Sequence, residues 1–436
     1  MISAGLGISV VIGSLIISAA AYIYLGRREG TYLNVLTPSF INAVAAYYLL
    51  QLVYISTVGT GHSKFAYVYV YATLAVESWA FVLGYTYRPK KIARQAGRAA
   101  AYAGRNFTIL SLTCLALACV IYAPVLVQFR AYLLDPREIY RLTRTGFGHE
   151  TFVSSTLGYL AVIFILFAKR SWLTKAFVLV VASGLLLLHG SKGQVLNLVF
   201  LMVLFQVYVR GRQTPLLPAL VRSLAIVGVV LALFAVTMSL GDGPVEAVQA
   251  ISQYSDYTRN AMLTIDSHLA PQYGRLTMEA NIYGRVPRVL MPNKPKNFGP
   301  FHLAEEFYPE WFDADTGSPD FGIGVQYADF GAFAIVYLAL FAILKGCLAR
   351  VFVNRLKRTK HPADFFVVAF LAEISVIPLG GAGWLFPEAL VAAMLMRFFS
   401  GIGPGEAYSE RIRSRRGVTD PLSTSDSGAP GFSSIA

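Results

Sequence analysis

Three stretches of the chain carry cations in patterns suited to holding a phosphate. In Asp135-Pro136-Arg137-Glu138-Ile139-Tyr140-Arg141-Leu142-Thr143-Arg144, the arginines recur at i, i+4 and i+7. A helix starting after Pro136 lines Arg137, Arg141 and Arg144 along one face. Each guanidinium offers two parallel donors to phosphate oxygens, so the stripe suits a phosphate-bearing ligand. The alternative is a solvated amphipathic helix lying on anionic headgroups. The second stretch, residues 285–296, packs Arg285, Arg288, Lys294 and Lys296 between Pro287, Pro292 and Pro295. Proline fixes φ and removes donors, which makes a stiff connector whose charges have little entropy to lose on binding. Read blandly, it is an ordinary Pro-rich loop. The third, His189-Gly190-Ser191-Lys192-Gly193-Gln194, interrupts an apolar run. Its Gly-x-x-Gly turn, with a lone Lys192, can show backbone N–H groups and a cation to an anion. Otherwise it is a tight turn whose lysine snorkels to an interface. It is not a P-loop, because the lysine precedes the glycine and both neighbours are helical.

Carboxylates and an imidazole follow the second stretch: His302, Glu305, Glu306, Glu310, Asp313, Asp315, Asp320 and, further on, Asp329. A group of this kind beside a cationic cradle is general-base material, and His302, Glu305 and Asp329 are the candidates. Most of the rest read as surface charge. Phe301, Phe307, Tyr308, Trp311, Phe312, Phe321 and Tyr327 are interleaved, either to stack on sugar faces or to anchor the segment at an interface. His149, Tyr257 and Arg259 stand isolated and receive no role. Cys114 and Cys119 lie in an apolar run and Cys347 beside a basic loop, so neither a disulfide nor a metal-thiolate site is expected. No residue pattern marks a dedicated metal site or a cofactor.

The elements that must position these groups are membrane helices. Of 436 residues, 56% are hydrophobic and 14% charged, against about 25% charged in soluble domains. Mean hydropathy is +0.55. Apolar runs of roughly 20 residues, enough to cross a hydrocarbon slab of about 30 Å, recur throughout. Backbone groups in lipid must bond internally, so the expected class is an all-α integral membrane protein. We place about eleven spans: 3–25, 35–57, 65–86, 107–129, 151–168, 176–190, 193–209, 219–240, 323–345, 362–380 and 383–400. Glu77, Glu373 and Glu388 fall inside them, where carboxylates either function or bond neighbouring helices. The net charge of +13 sits mostly in alternate loops, which marks those as cytoplasmic and makes nucleic-acid binding the weaker explanation. The first span lacks a basic n-region and is expected to remain uncleaved, with its N-terminus outside. Residues 1–400 then form one polytopic domain with outer segments at 130–150 and 241–322, the latter a partly helical cap. Residues 401–436, rich in Gly, Ser, Pro and Arg, read as a disordered cytoplasmic tail.

The order of motifs is a Gly-Ser-basic-Gly turn, a long outer loop with Pro-Arg-x-x-x-Pro-x-Lys-Pro over Pro287–Pro295, then a Gly/Asp/Phe-Gly stretch from Phe321 to Gly331. It resembles the bacterial O-antigen and capsular oligosaccharide repeat-unit polymerases of the Wzy type, from about the fourth span to the ninth. The turn has Lys192 where such turns commonly have arginine. The resemblance implies a membrane glycosyltransferase of the GT-C class in the bacterial inner membrane, with its active side periplasmic. It also implies undecaprenyl-pyrophosphate-linked oligosaccharide as substrate and a chain-length regulator as partner, in lipopolysaccharide or related polysaccharide biosynthesis. Arginines and lysines aimed at the leaving diphosphate would stabilise its developing charge, and a carboxylate or His302 would take the proton of the attacking hydroxyl.

Two other readings share parts of this pattern. An O-antigen ligase has the same architecture and donor but transfers to a lipid A core. A polysaccharide flippase would place charges along the bundle at mid-depth and show two matching halves. Here the cations gather outside and the halves do not match. A scaffold for a glycan assembly complex is the blandest alternative.

Overall fold

A computed structural model describes residues 2–87, 107–133, 136–143, 147–190, 192–238, 255–286, 290–313, 319–377 and 387–401. Among these the secondary structure is helical, with no strand. The first part holds α1 (Ala4–Glu29), α2 (Thr37–Thr57), α3 (Lys64–Thr86), α4 (Phe107–Gln128), α5 (Pro136–Thr143), α6 (Gly148–Phe167), α7 (Trp172–Leu188), α8 (Lys192–Leu204) and α9 (Leu216–Met238). The cap holds α10 (Asp256–Asp266), α11 (Arg275–Tyr283), α12 (Phe301–Phe307), α13 (Pro309–Asp313) and α14 (Gly324–Phe330). The chain closes with α15 (Ala334–Thr359), α16 (Pro362–Leu371) and α17 (Pro387–Gly401).

Helix ends follow local chemistry. Ser3 and Ser63 cap α1 and α3 by accepting the N–H of Leu6 and Ala66, which satisfies donors that a helix start leaves open. Gly30, at φ 72°, terminates α1 in the left-handed region. Six helical runs are long and apolar enough to cross a membrane: α1, α2, α3, α4, α6 and Gly324–Thr359. Shorter apolar helices occupy the other five expected spans.

Two boundaries differ from the sequence reading. The helix expected over 362–380 stops at Leu371, although the sequence stays apolar; Glu373 adopts φ +64° there and pairs with Lys345. Ile374, Val376 and Ile377 of the segment that follows are buried in protein, the surroundings in which non-helical backbone is tolerated in a membrane protein. Conversely, α15 continues through the expected inner loop to Thr359, so its basic residues ride on a helix. The tail proposed from 401 lies outside the described residues beyond Gly401.

The bundle centres on α3, which runs beside α1 and α15. A Cβ on Gly84 would lie 2.0 Å from the Ile343 carbonyl oxygen, and one on Gly346 would lie 2.2 Å from that of Phe81. The two backbones are thus in direct contact, the packing that small residues permit between membrane helices. In the second half, Ser111 and Ser154 tie α4 to α6 by donating to Ala161 O and Ala118 O at 2.8 and 2.9 Å.

The two ends of the bundle are held by different contacts. At one end Glu29 meets Arg350 at 2.9 Å and Lys357 at 3.5 Å, while Asp364 meets Arg355 and Arg397. At the other end the cap sits on the starts of α1 and α3. Asp266 of α10 accepts from Ser63 N–H at 3.0 Å and lies 3.2 Å from His62. The Thr258 hydroxyl of α10 donates to Gln51 of α2 at 2.7 Å. Ion pairs thus tie the helices together at one end, and the cap is tied to the bundle at the other.

Candidate functional site

The cap is organised around α11. Its first turn has open N–H groups, and its N-cap residue Gly274, at φ 86°, has no side chain to fill them. Asp329, at the end of α14, reaches across instead. It is fully buried and accepts the N–H of Leu276 at 2.9 Å, the N–H of Thr277 at 2.8 Å and the Thr277 hydroxyl at 2.5 Å. A carboxylate placed this way ties the end of α14 to the first turn of α11, and both of its oxygens, those of an expected general base, are engaged there.

One turn further along α11 lies Glu279. Its Oε1 accepts from Arg275 Nε at 2.7 Å, and its Oε2 from Gly299 N–H at 3.0 Å and from His302 Nε2 at 2.7 Å. Burial pushes this carboxyl up, but Arg275, the Gly299 amide and His302 outweigh it and hold the group below its ordinary range. An ionised Glu279 keeps the imidazole proton on Nε2 and leaves the Nδ1 lone pair able to take a proton. His302 is half-buried, open enough for a substrate to approach. Glu279 did not figure in the sequence reading; the Arg275-x-x-x-Glu279 spacing on a helix was its one visible signal.

The Pro-rich stretch folds back over the same helix. Arg285 Nη1 donates to the carbonyl and side-chain oxygens of Asn281 at 2.7 and 2.6 Å. Lys294 donates to Val286 O at 3.3 Å and lies 4.5 Å over the Phe298 ring, which is edge-on to Tyr283 and Phe301. Glu305 accepts from Asn297 at 3.0 Å, and Lys296 is exposed. The fold thus gathers Arg285, Lys294, Lys296, His302 and Glu305 on one unit of the cap. Arg288 lies outside the described residues.

The expected helix after Pro136 is α5, bearing Arg137 and Arg141; their side chains and all of Arg144 lie outside the described structure. Ile139 anchors α5 against Tyr122, Val125 and Leu185. At the turn before α8, His189 is buried, 2.9 Å from the Ser155 hydroxyl and 3.2 Å from Gln194. Lys192 opens α8, and its side chain is likewise outside the described structure.

Tyr257 and Arg259, passed over in the sequence, sit at the junction of cap and bundle. The Arg259 guanidinium lies 4.6 Å over the Tyr54 ring of α2 and 3.5 Å from Asp256. Neighbouring Asn260 accepts from the Tyr308 hydroxyl at 2.7 Å and donates to the Asp320 carbonyl at 2.8 Å. Burial, aided by the charges of Asp320 and Asp256 and by Tyr140 of α5, pushes the Tyr257 hydroxyl up to about 12. Among the described residues, no group of three His, Cys, Asp or Glu side chains is placed to hold a metal ion.

A polytopic helical body with a cationic, imidazole-bearing cap can be compared with known proteins over nearly its whole length. The O-antigen polymerases of Salmonella typhimurium and Salmonella typhi are each 35% identical to it over 389 residues, covering 89% of this chain and 93% of theirs. No family model and no solved structure matches. With identity at that level over 89% of its length, the chain belongs to the O-antigen polymerase family.

Proposed function

We propose that this protein polymerises oligosaccharide repeat units carried on undecaprenyl diphosphate, at the periplasmic face of the bacterial inner membrane. A growing glycan passes from its lipid carrier to a hydroxyl of the next lipid-linked repeat. The observation that carries the reading is near-full-length similarity to proteins named O-antigen polymerase, which favours polymerase over ligase or flippase. The bundle is read as eleven spans of GT-C type, the five shorter apolar helices included. The cap, lying opposite the basic end, is read as periplasmic.

His302 Nδ1 takes the proton of the acceptor hydroxyl, whose oxygen attacks the anomeric carbon. The bond from that carbon to the diphosphate oxygen breaks, and the electron pair leaves on the diphosphate. Arg285, Arg288, Lys294 and Lys296, with the α5 arginines Arg137, Arg141 and Arg144 and with Lys192, oppose the charge that grows there. Glu279 orients the imidazole. Glu305 braces the loop through Asn297, and Asp329 holds α11 in place. Catalysis is metal-independent in this scheme; activity abolished by EDTA and restored by Mg²⁺ would refute that element. A chain-length regulator is the expected protein partner.

The test is deletion followed by lipopolysaccharide gel analysis. Loss of a polymerase leaves core bearing a single repeat. Loss of a ligase removes all decoration, and that outcome would overturn the assignment.

A further inference from the structure

Beside the cationic loop, at the junction of α10 with α2, is a second cluster that the diphosphate chemistry leaves unused. Tyr257 of α10 lies 5.8 Å, ring to ring, from Tyr47. Tyr47 belongs to a π-helical stretch of α2, Val44–Leu49, which widens the helix there; such widened turns recur at functional sites. Arg259 covers the Tyr54 ring, and Tyr308 closes the cluster through Asn260. Gly322, at φ +50°, brings the loop bearing Asp320 onto the Tyr257 carbonyl: a Cβ there would sit 2.8 Å from that oxygen.

The described side chains of this cluster mix aromatic rings with carboxylates, unlike the run of cations at 285–296. Among the described side chains here, the Arg259 guanidinium lies 3.5 Å from Asp256, and Asp320 supplies a second carboxylate. Burial raises both above the ordinary aspartate range, for Asp256 against the pull of Arg259 and for Asp320 against the Gly322 and Phe321 amides. The same groups suit a pyranose: aromatic faces for its C–H surface, and planar carboxylate and guanidinium groups for paired hydroxyls. Asp320 and Tyr257 are also open to solvent at their edges, so a ligand can reach them.

We propose that this recess is the carbohydrate subsite, binding a sugar of the repeat unit through Tyr257, Tyr308, Arg259 and Asp320 while the cap cations hold the diphosphate. The proposal rests on the reading of the protein as a repeat-unit polymerase. It is tested with the full-length protein in lipid nanodiscs elongating lipid-linked repeats, using the free repeat oligosaccharide and inorganic pyrophosphate as separate inhibitors. Tyr257→Ala and Asp320→Asn should each weaken inhibition by the oligosaccharide by about tenfold, the loss of one good contact. They should raise KM more than they lower kcat and leave pyrophosphate inhibition unchanged. Unchanged oligosaccharide inhibition in both variants, or a parallel loss of both inhibitions, would overturn the subsite. If the wild-type protein forms no polymer, the polymerase reading fails instead. Saturation-transfer NMR of the free oligosaccharide on the same nanodiscs then decides the recess alone: signals lost in Tyr257→Ala support it, and signals retained overturn it.

Discussion

Replacing Glu279 with Gln tests the dyad with little change of shape. The carboxylate takes two contacts from charged or chargeable groups, Arg275 Nε and His302 Nε2, both at 2.7 Å, and a third from the Gly299 amide at 3.0 Å. A hydrogen bond involving a charged group contributes about 1.5–3 kcal/mol. The Arg275 side chain is more than half exposed, so that pair is screened and adds little. The His302 contact therefore dominates. Glutamine keeps an oxygen that can accept from His302 but loses the charge that about doubles the bond, so the cost should be about 1–1.5 kcal/mol, or about 5- to 10-fold in kcat/KM at 1.36 kcal/mol per factor of ten. The assay is the elongation rate of lipid-linked repeats as a function of pH, run beside His302→Ala, which should lose about 100-fold or more. The folded Glu279 carboxyl lies below its ordinary value of 4.5. Its contribution to stability is thus present above that pH and lost as pH falls through the folded value. The melting temperatures of wild type and Glu279→Gln should accordingly converge in acid. Wild-type rates in Glu279→Gln with an inactive His302→Ala would remove Glu279 from the mechanism, and wild-type rates in both would remove the dyad.

Three further outcomes follow from the packing. Gly84→Ala places a methyl against the Ile343 carbonyl and forces α3 from α15; the yield of folded protein in size-exclusion chromatography should fall sharply, whereas Gly13→Ala, with nothing within 4 Å, should behave as wild type. Asp329→Ala strands two buried N–H groups of α11 and should destabilise the cap by about 1–3 kcal/mol for each, read as protease cleavage near residue 275 and a lower melting temperature. Asp320→Asn keeps an acceptor for the Gly322 amide at 2.8 Å but removes a carboxyl whose folded value is raised. Because the raised group favours folding only while protonated and loses that contribution as pH rises, the variant should melt higher than wild type at pH 7, and the gap should close in strong acid.

The sequence made the membrane class plain because apolar length and alternating basic loops are local properties. Where structure departs from it, the cause is tertiary. The stop of α16 at Leu371 is invisible in an apolar run; it is marked only by Glu373 turning into the left-handed region to meet Lys345. Asp329 looked like a base at the mouth of a span because its partners, Leu276 and Thr277, lie 53 and 52 residues upstream. Arg259 looked isolated because Tyr54 and Tyr308 come from distant segments. His302 was legible by residue type, but Glu279, which gives its imidazole a direction, was not.

The central claim is that the cap joins one lipid-linked repeat to another, and reconstitution tests it most directly. Purified protein in nanodiscs, given lipid-linked repeats as the sole glycan, should yield a ladder of lengthening lipid-linked chains that disappears in His302→Ala. Failure to lengthen those chains, with transfer beginning only when a lipid A core is supplied, would contradict it.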